Sequence, residues 1–301
     1  MKKQKRTLKS LRNKISLGTA KLGVENYGFS SNDLPKDKIK FLEKSFNIGI
    51  KSLDTSPRYG NSERIIGNFI DKTKQRPFVS SKIDGLKKND NHSPRKMIES
   101  VKRSLDRMRI PFLDVCYLHQ NDLDIISDPY VHEGLIELKE IGLIKNCGTS
   151  IYKFEELDYT VESALYDFIQ VPINILDTSY YDRIIDYQTE IRIIARSIFL
   201  QGIFFHPASI KEKIKENKLL LQYLQKITTI CESYGFDLNI GCIAFIHALE
   251  RIEQLIIGTS SIENLKSNFG SLNQELNKDT IDEIYEISKD PKPWTNPKDW
   301  T

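Results

Sequence analysis

The sequence predicts a single (β/α)8 barrel, in which eight parallel strands alternate with helices. The chain has 301 residues, which suits one large barrel domain. Eight short, mostly apolar runs are separated by longer segments with helical spacing. Most of these runs lack a clear alternation of apolar and polar residues, as is typical of strands buried on both faces of a parallel sheet. Eight such units at this length favour a closed barrel over an open sheet.

The predicted strands are the apolar runs themselves, and the fifth run is the weakest of them by composition. They span Ile15–Ala20, Ile50–Thr55, Phe78–Ile83, Leu113–His119, Asn146–Ile151, Phe168–Asn174, Ile191–Ser197 and Leu255–Ser260.

Four of the intervening segments carry the clearest helical pattern. They are Lys36–Ile48, Ser93–Met108, Phe154–Tyr166 and Leu238–Leu249. The second begins with a Ser-Pro pair, which is a helix-start signal. Four longer stretches are predicted to be irregular, and several of them follow strands, so we expect them to surround the mouth of the barrel. They are Gly23–Pro35, Gln120–Tyr130, Ile175–Glu190 and Gly202–Ile214.

The composition is that of an ordinary globular protein, with 39% hydrophobic and 28% charged residues. A net charge of +3, from 44 basic and 41 acidic residues, is too balanced to indicate nucleic acid as the main partner. The basic residues cluster at the start, in MKKQKRTLKSLRNK. We expect residues 1–14 to be solvated and frayed, with an arm that binds nucleic acid or a membrane surface as the alternative.

Residues 15–290 are predicted to form the barrel, and residues 291–301 a tail. The tail contains Trp294, Trp300 and three prolines, so it either folds over the mouth or frays. No apolar run follows the basic start, which argues against a secretory signal, and no stretch approaches the roughly 20 apolar residues of a spanning helix.

Cysteine usage indicates a reducing compartment, and we expect a cytoplasmic protein without disulfides. The four cysteines form no Cys-x-x-Cys pair, and two of them lie within apolar runs. No histidine or cysteine cluster has the spacing of a metal site, so no metal is expected. No Gly-x-Gly-x-x-Gly follows a strand, which argues against a Rossmann domain.

Four chemically distinct polar residues fall at the ends of three successive strands. Asp54 ends the second strand and Tyr59 follows it, while Lys82 ends the third strand and His119 the fourth. Polar residues at the carboxyl ends of barrel strands are typical of an active site. Taken singly, three of the four have structural explanations, such as loop capping or core packing. Lys82 is the exception, because an unpaired lysine beside an apolar run is costly.

Together, these groups suit the reduction of a carbonyl. Negative charge grows on the carbonyl oxygen as a hydride attacks the carbon, and that oxygen needs a proton and a polar surrounding. Tyr59 can donate the proton, and we expect the Lys82 ammonium to lower its pKa from the usual value near 10. Asp54 would keep Lys82 charged and in place, and His119 would orient the carbonyl.

From about Ile15 to Asn268 the chain resembles the aldo-keto reductase superfamily. The resemblance rests on LGTAKLG, GIKSLDTSPRYGNSERIIG, VSSKI, LDVCYLH, GTSIY, FIQVPINILD, ARSIFLQG and IIGTSSIENLKSN, in that order. It implies a barrel, a nicotinamide cofactor bound in extended form and no metal. It also implies a catalytic tetrad of Asp54, Tyr59, Lys82 and His119. The ARSIFLQG segment is similar to a bacterial subgroup.

The resemblance also implies which residues contact the cofactor. They are Gly18, Thr19, Asp54, Ser150, Gln170, Arg196, Ser197, Phe199, Gln201, Gly258, Thr259, Ser260, Asn264 and Asn268. The chain departs from the family at Ile151, where asparagine is common, and at Arg196, where tyrosine commonly stacks on the nicotinamide. A guanidinium plane can stack on an aromatic ring as well. NADP(H) is expected, with Lys266 as the cation for a 2′-phosphate, and NAD(H) is the alternative.

Substrate recognition is assigned to Tyr27 and Arg58, with Phe29 beside them. Arg58 either contacts the substrate or forms a loop salt bridge, and Tyr27 and Phe29 either line the site or pack. The predicted function is reduction of an aldehyde, ketone or sugar carbonyl by a monomer. A cofactor-binding regulatory subunit with little turnover and an isomerase or lyase with a Schiff base on Lys82 are the alternatives.

Overall fold

The protein is described by a computed structural model that covers residues 14–25, 35–119, 122–215 and 217–294. Eight parallel strands form a closed barrel in sequence order, with each strand bonded to the next and β1 to β8. This confirms the predicted fold class. The strands are β1 Ile15–Gly18, β2 Ser52–Asp54, β3 Phe78–Ile83, β4 Val115–Leu118, β5 Cys147–Ser150, β6 Phe168–Pro172, β7 Arg192–Arg196 and β8 Ile252–Ile257.

Thirteen α-helices and one 3₁₀-helix lie in the described part of the chain. The α-helices are α1 Ala20–Gly23, α2 Lys38–Ile48, α3 Ser62–Thr73, α4 Ser93–Met108, α5 Leu123–Ile126, α6 Pro129–Glu140, α7 Phe154–Glu162, α8 Ser179–Asp186, α9 Pro207–Lys213, α10 Asn217–Ser233, α11 Leu238–Ala248, α12 Ile262–Ser271 and α13 Lys278–Ser288, and the 3₁₀-helix is Leu200–Phe205. Among these helices none is long and apolar enough to cross a membrane.

Successive strand residues point alternately into the barrel and out toward the helices. The outward residues form most of the hydrophobic core, including Leu17, Leu53 and Val79, which are fully buried. A separate small cluster of Val115, Tyr117, Phe168 and Ile194 fills the barrel interior. The next inward positions toward the carboxyl ends carry polar side chains instead, so the alternation delivers those groups to one rim.

The four predicted helices are all present, and α4 has the predicted bounds. The prediction of irregular backbone was wrong in part. Helix α8 lies within Ile175–Glu190, α9 lies within Gly202–Ile214, and α5 lies within Gln120–Tyr130. Strand β8 begins three residues earlier than predicted, at Ile252.

The described start of the tail packs onto the barrel. Trp294 is buried, and its ring lies 5.8 Å from the ring of Tyr223 in α10. The backbone N–H of Lys292 donates to Asp177 Oδ2 (2.9 Å) in the loop after β6. Trp300 and most of residues 1–14 lie outside the described residues. The four cysteines are buried, free thiols.

Candidate active site

A cavity of about 650 Å³ opens at the carboxyl ends of the strands. All four residues of the predicted tetrad, Asp54, Tyr59, Lys82 and His119, line it together with Arg58. The predicted clustering of these side chains at one rim is therefore what the structure shows.

Asp54 and Lys82 form a buried ion pair at the floor of the cavity. Lys82 Nζ lies 2.6 Å from Asp54 Oδ1 and donates a second hydrogen bond to the carbonyl of Thr55 (2.9 Å). The other carboxylate oxygen of Asp54 accepts from Ser80 Oγ (3.1 Å) and Gln170 Nε2 (2.8 Å). Both charged side chains thus exchange water for protein partners, as buried ions require.

Tyr59 is positioned by a close backbone contact between the loops after β1 and β2. A Cβ atom on Gly23 would come within 1.7 Å of the Tyr59 carbonyl oxygen, and one on Gly60 within 2.2 Å of the Gly23 carbonyl oxygen. Gly60 also has a φ of +53°, which favours glycine. The carbonyl of Tyr59 accepts from the N–H of Ser62 (3.0 Å) at the start of α3. Gly23, Gly60 and the start of α3 therefore fix the backbone of Tyr59 and, with it, the position of the phenol.

The phenol of Tyr59 holds its proton more tightly than the sequence suggested. Burial raises the pKa of Tyr59 above its usual value, and the Asp54 carboxylate raises it further. Lys82 Nζ lies 5.2 Å from the centre of the ring, but its ammonium points at Asp54 and Thr55. The expectation of a lowered pKa for Tyr59 was wrong, because burial and the Asp54 carboxylate together outweigh the lowering by the nearby Arg196.

His119 is a neutral imidazole. Burial lowers its pKa to about 4, and the nearby charges of Lys82 and Arg58 act in the same direction. Its Nδ1 lies 3.2 Å from Ser56 Oγ. Since Ser56 Oγ already accepts from the backbone N–H of Arg58 (3.1 Å), its own proton is available for Nδ1. In the tautomer in which Nδ1 accepts from Ser56, the ring proton is on Nε2 and can serve as a hydrogen-bond donor.

Arg58 forms the loop salt bridge that the sequence left open. Its guanidinium pairs with the carboxylate of Asp84, although 67% of the arginine side chain stays exposed at the cavity wall. Asp84 Oδ2 also lies 3.5 Å from His119 Nδ1. Asp84 was not predicted from the sequence. Its position two residues after Lys82, hence on the same face, was a usable signal.

Most of the residues assigned to the cofactor line the same cavity. They are Gly18, Asp54, Ser150, Gln170, Arg196, Ser197, Phe199, Gln201, Gly258, Thr259, Asn264 and Asn268. Two others do not line it. Thr19 is fully buried, and its hydroxyl donates to the carbonyl of Asp54 (2.9 Å). Ser260 lies in the turn after β8. Tyr27 and Phe29 fall outside the described residues, and Lys266 is exposed and does not line the cavity.

The loop after β7 forms one wall and has an unusual backbone. Ser197, Leu200 and Gln201 all have positive φ values of 46–61°. Such conformations are uncommon for residues other than glycine, and they cluster at ligand sites where the surroundings hold them in place. Ser197 and Gln201 both face the cavity.

Two buried polar atoms of the wall have no hydrogen-bond partner among the described residues. They are Nε of Arg196, at the end of β7, and Oδ1 of Asn268, in α12. A buried orphan atom signals a ligand or water. An extended nicotinamide dinucleotide would reach both ends of this wall, so the residues present fit such a cofactor.

Two further residues near the site, Lys21 and Tyr117, were not predicted from the sequence. Lys21 lines the cavity from α1, and burial lowers its pKa. Tyr117 is buried inside the barrel, where its phenol is hydrogen-bonded to the side chain of Gln170. Its signal was an aromatic residue two positions before His119, on the same face of β4.

The structure is a parallel eight-stranded barrel, and an acid, a lysine, a tyrosine and a histidine lie at its carboxyl rim. This combination is typical of a (β/α)8-barrel enzyme. The profile described as "Aldo/keto reductase family" matches residues 14–289. The chain therefore belongs to the aldo/keto reductase family, and it is an NAD(P)H-dependent oxidoreductase.

Curated relatives and solved structures agree with this assignment. The chain is 24% identical over 280 residues to "Uncharacterized oxidoreductase YqkF" of Bacillus subtilis, covering 86% of this chain and 91% of that one. It is 22% identical over 317 residues to the L-galactose dehydrogenase of Arabidopsis thaliana, covering 94% and 96%. An aldo/keto reductase of Klebsiella pneumoniae in complex with NADP and acetate superposes with a TM-score of 0.68 at 17% identity, covering 92% of each chain.

Proposed function

We propose that the protein reduces an aldehyde or ketone to an alcohol with NADP(H), with Tyr59 as the proton donor. The observation that carries the proposal is the convergence of Tyr59, neutral His119 and the Asp54–Lys82 pair on one cavity wall. A phenol, an imidazole and a buried ion pair in this arrangement can orient and protonate a carbonyl oxygen.

A nicotinamide cofactor held by the cavity wall would supply the hydride for the carbonyl carbon, which is chemistry that the side chains cannot provide. His119 donates a hydrogen bond from Nε2 to the carbonyl oxygen, because its low pKa keeps it neutral and its Nδ1 is bonded to Ser56. Tyr59 releases its phenolic proton to the same oxygen as negative charge develops there. The raised pKa of Tyr59 means that the phenol is fully protonated and ready to donate at neutral pH.

Lys82 stabilises the phenolate that Tyr59 leaves behind. Its ammonium lies 5.2 Å from the ring centre, close enough for a charge interaction in a buried site. Asp54 holds the ammonium in place through the 2.6 Å contact. Asp54 and Lys82 are therefore positioning and charge-stabilising groups, while Tyr59 carries the proton.

The preference for NADP(H) over NAD(H) rests on the start of α12. The helix begins at Ile262, and its first amides lie beside Thr259 and Asn264 of the cavity wall. Helix N-termini favour phosphate groups. Lys266 of the same helix is exposed and does not line the cavity, so the amides at the helix start, and not this cation, support the preference.

A sugar carbonyl is the proposed substrate class. The polar wall, with Arg58, Ser150 and Asn239, suits hydroxyl-rich compounds. The name of the Arabidopsis thaliana relative, a galactose dehydrogenase, supports the same class.

The Schiff-base alternative has no support in this geometry. A lysine nucleophile must be deprotonated and free to attack. Lys82 instead donates to a carboxylate at 2.6 Å and to a backbone carbonyl at 2.9 Å. A regulatory subunit with little turnover remains as an outcome of the experiment below.

The test compares the wild type with Tyr59→Phe. Both proteins are titrated with NADPH and NADH while the nicotinamide fluorescence is followed, and both are assayed with a panel of aldehydes, ketones and sugars. We expect equal cofactor binding but a turnover about 10²–10⁴-fold lower in the variant. Tight binding without turnover in the wild type would favour the regulatory subunit, and absence of binding would refute the reductase.

A further inference from the structure

We propose that Arg196 makes the pocket discriminate between the two redox states of its nicotinamide cofactor, binding the reduced form more tightly than the oxidised form. This inference rests on the proposed function, since it concerns the same cavity. The nicotinamide ring is neutral when reduced and carries a positive charge when oxidised, so an uncompensated cation beside it opposes only the oxidised form.

Three other basic residues that line the cavity are either paired with a carboxylate or neutral. Lys82 is paired with Asp54 at 2.6 Å, and the guanidinium of Arg58 is paired with Asp84. His119 is neutral near pH 7 because its pKa is about 4. These groups add little net charge for a bound ring to meet.

Arg196 differs from these groups in its partners. Its guanidinium donates to the backbone carbonyl of Ile151 (2.5 Å) and to Ser197 Oγ (3.4 Å), both of which are neutral acceptors. No carboxylate of the described part of the chain forms an ion pair with it. Its Nε atom is buried and lacks a hydrogen-bond partner there. The positive charge of Arg196 is therefore held in the wall without a counter-charge.

Stacking fixes the plane of the guanidinium. The Cζ atom of Arg196 lies 3.8 Å from the centre of the Tyr152 ring, so Tyr152 covers one face of the cation. Arg196 lines the cavity, as Ser150 and Gln170 do. A flat ring placed there would meet a planar cation that Tyr152 prevents from turning away.

The affinity of the pocket is therefore expected to be higher for the reduced cofactor than for the oxidised cofactor. A like charge in stacking contact lowers affinity by roughly tenfold or more, even with substantial solvent screening. The oxidised cofactor would dissociate faster than the reduced cofactor. This difference favours cycles of carbonyl reduction over alcohol oxidation. A tenfold preference corresponds to a rise of about 30 mV in the midpoint potential of the bound two-electron couple.

The test measures the dissociation constants of NADPH, NADP⁺, NADH and NAD⁺ by calorimetry for the wild type, Arg196→Gln and Arg196→Lys. Within each pair the phosphates are the same, so the oxidised-to-reduced ratio isolates the charge of the ring. We expect a wild-type ratio above about ten and a roughly tenfold lower ratio in Arg196→Gln. Arg196→Lys, which keeps the charge, should retain a ratio within about threefold of the wild type.

The matched control is the double variant Arg58→Gln/Asp84→Asn, which removes an ion pair beside the cavity without changing the net charge there. Its ratio should stay within about threefold of the wild type. A wild-type ratio near one overturns the inference without any variant, and so does equal loss of the preference in Arg196→Gln and Arg196→Lys. If no cofactor form binds to the wild type, the proposed function itself has failed, which is a distinct result.

Discussion

Asp54 holds Lys82 at 2.6 Å in a site where each residue is only 4% exposed. Since removal of one partner leaves the other charge buried and unpaired, we expect Asp54→Asn to lower the free energy of unfolding by about 3 kcal/mol. The measurement is urea denaturation of the wild type and the variant at pH 7.

Two further variants separate the charge from the packing. Arg58→Gln breaks an ion pair at the exposed mouth and should cost less than about 1 kcal/mol. The double variant Asp54→Asn/Lys82→Met removes both charges and should regain about half of the loss or more, because an uncharged pair avoids the desolvation cost. If the double variant were less stable than Asp54→Asn, the attraction between the two charges would itself stabilise the barrel.

Tyr59 should act as an acid over a wide pH range. Because burial and Asp54 raise its pKa, the phenol stays protonated, and we expect the rate of carbonyl reduction to be flat from about pH 6 to pH 9. Alcohol oxidation needs the phenolate as a base and should accelerate as pH rises. Steady-state kcat profiles in both directions measure this. A fall of the reduction rate with a midpoint between about pH 7 and pH 9 would instead restore the lowered pKa that the sequence suggested.

The contrast between those two expectations shows what a sequence can predict here. The apolar runs identify the strands because parallel strands are buried on both faces, and their ends bring Asp54, Lys82 and His119 to one rim. The pKa of Tyr59 depends instead on how deeply the phenol is buried and on the charge of Asp54, and spacing carries no such information. The pairing of Arg58 with Asp84 is likewise a contact between two loops.

Helix α8 shows the same limit at the level of secondary structure. Its eight residues bury only Ser179, Tyr180 and Ile184, so the apolar pattern is too short to stand out. Hydrogen bonds from the N–H and hydroxyl of Ser179 to Asp177 Oδ1 start the helix, and the Asp177 carboxylate also accepts from Lys292 near the end of the chain. A contact of that sequence separation is not visible in a local pattern.

His119 should make stability depend on pH between about 6.5 and about 4. Over this range the imidazole of the unfolded chain takes up a proton, while the folded protein resists it until the lower value. Stability should therefore fall as pH drops through this window, by about 3 kcal/mol from this group, and level off below it. Urea unfolding of the wild type and His119→Gln at several pH values from 7 to 4 checks the slope, using the difference between the two proteins. Parallel curves would mean that the pKa of His119 is the same in the folded and the unfolded protein.

Gly23 should prove essential for the position of Tyr59. The Cβ of alanine at residue 23 would lie 1.7 Å from the Tyr59 carbonyl oxygen, and since that obstacle is backbone, the loop after β2 must move. We expect Gly23→Ala to lose about 2–3 kcal/mol of stability and, where it is still folded, to lower kcat far more than it weakens cofactor binding.

The control is Gly270→Ala in α12, where no atom lies within 4 Å of the added methyl, so that alanine should be neutral or stabilise by up to about 1 kcal/mol. Thermal unfolding, NADPH titration and turnover on the three proteins give the comparison. If Gly23→Ala retained wild-type kcat, the contact between the two loops would not be what places the phenol.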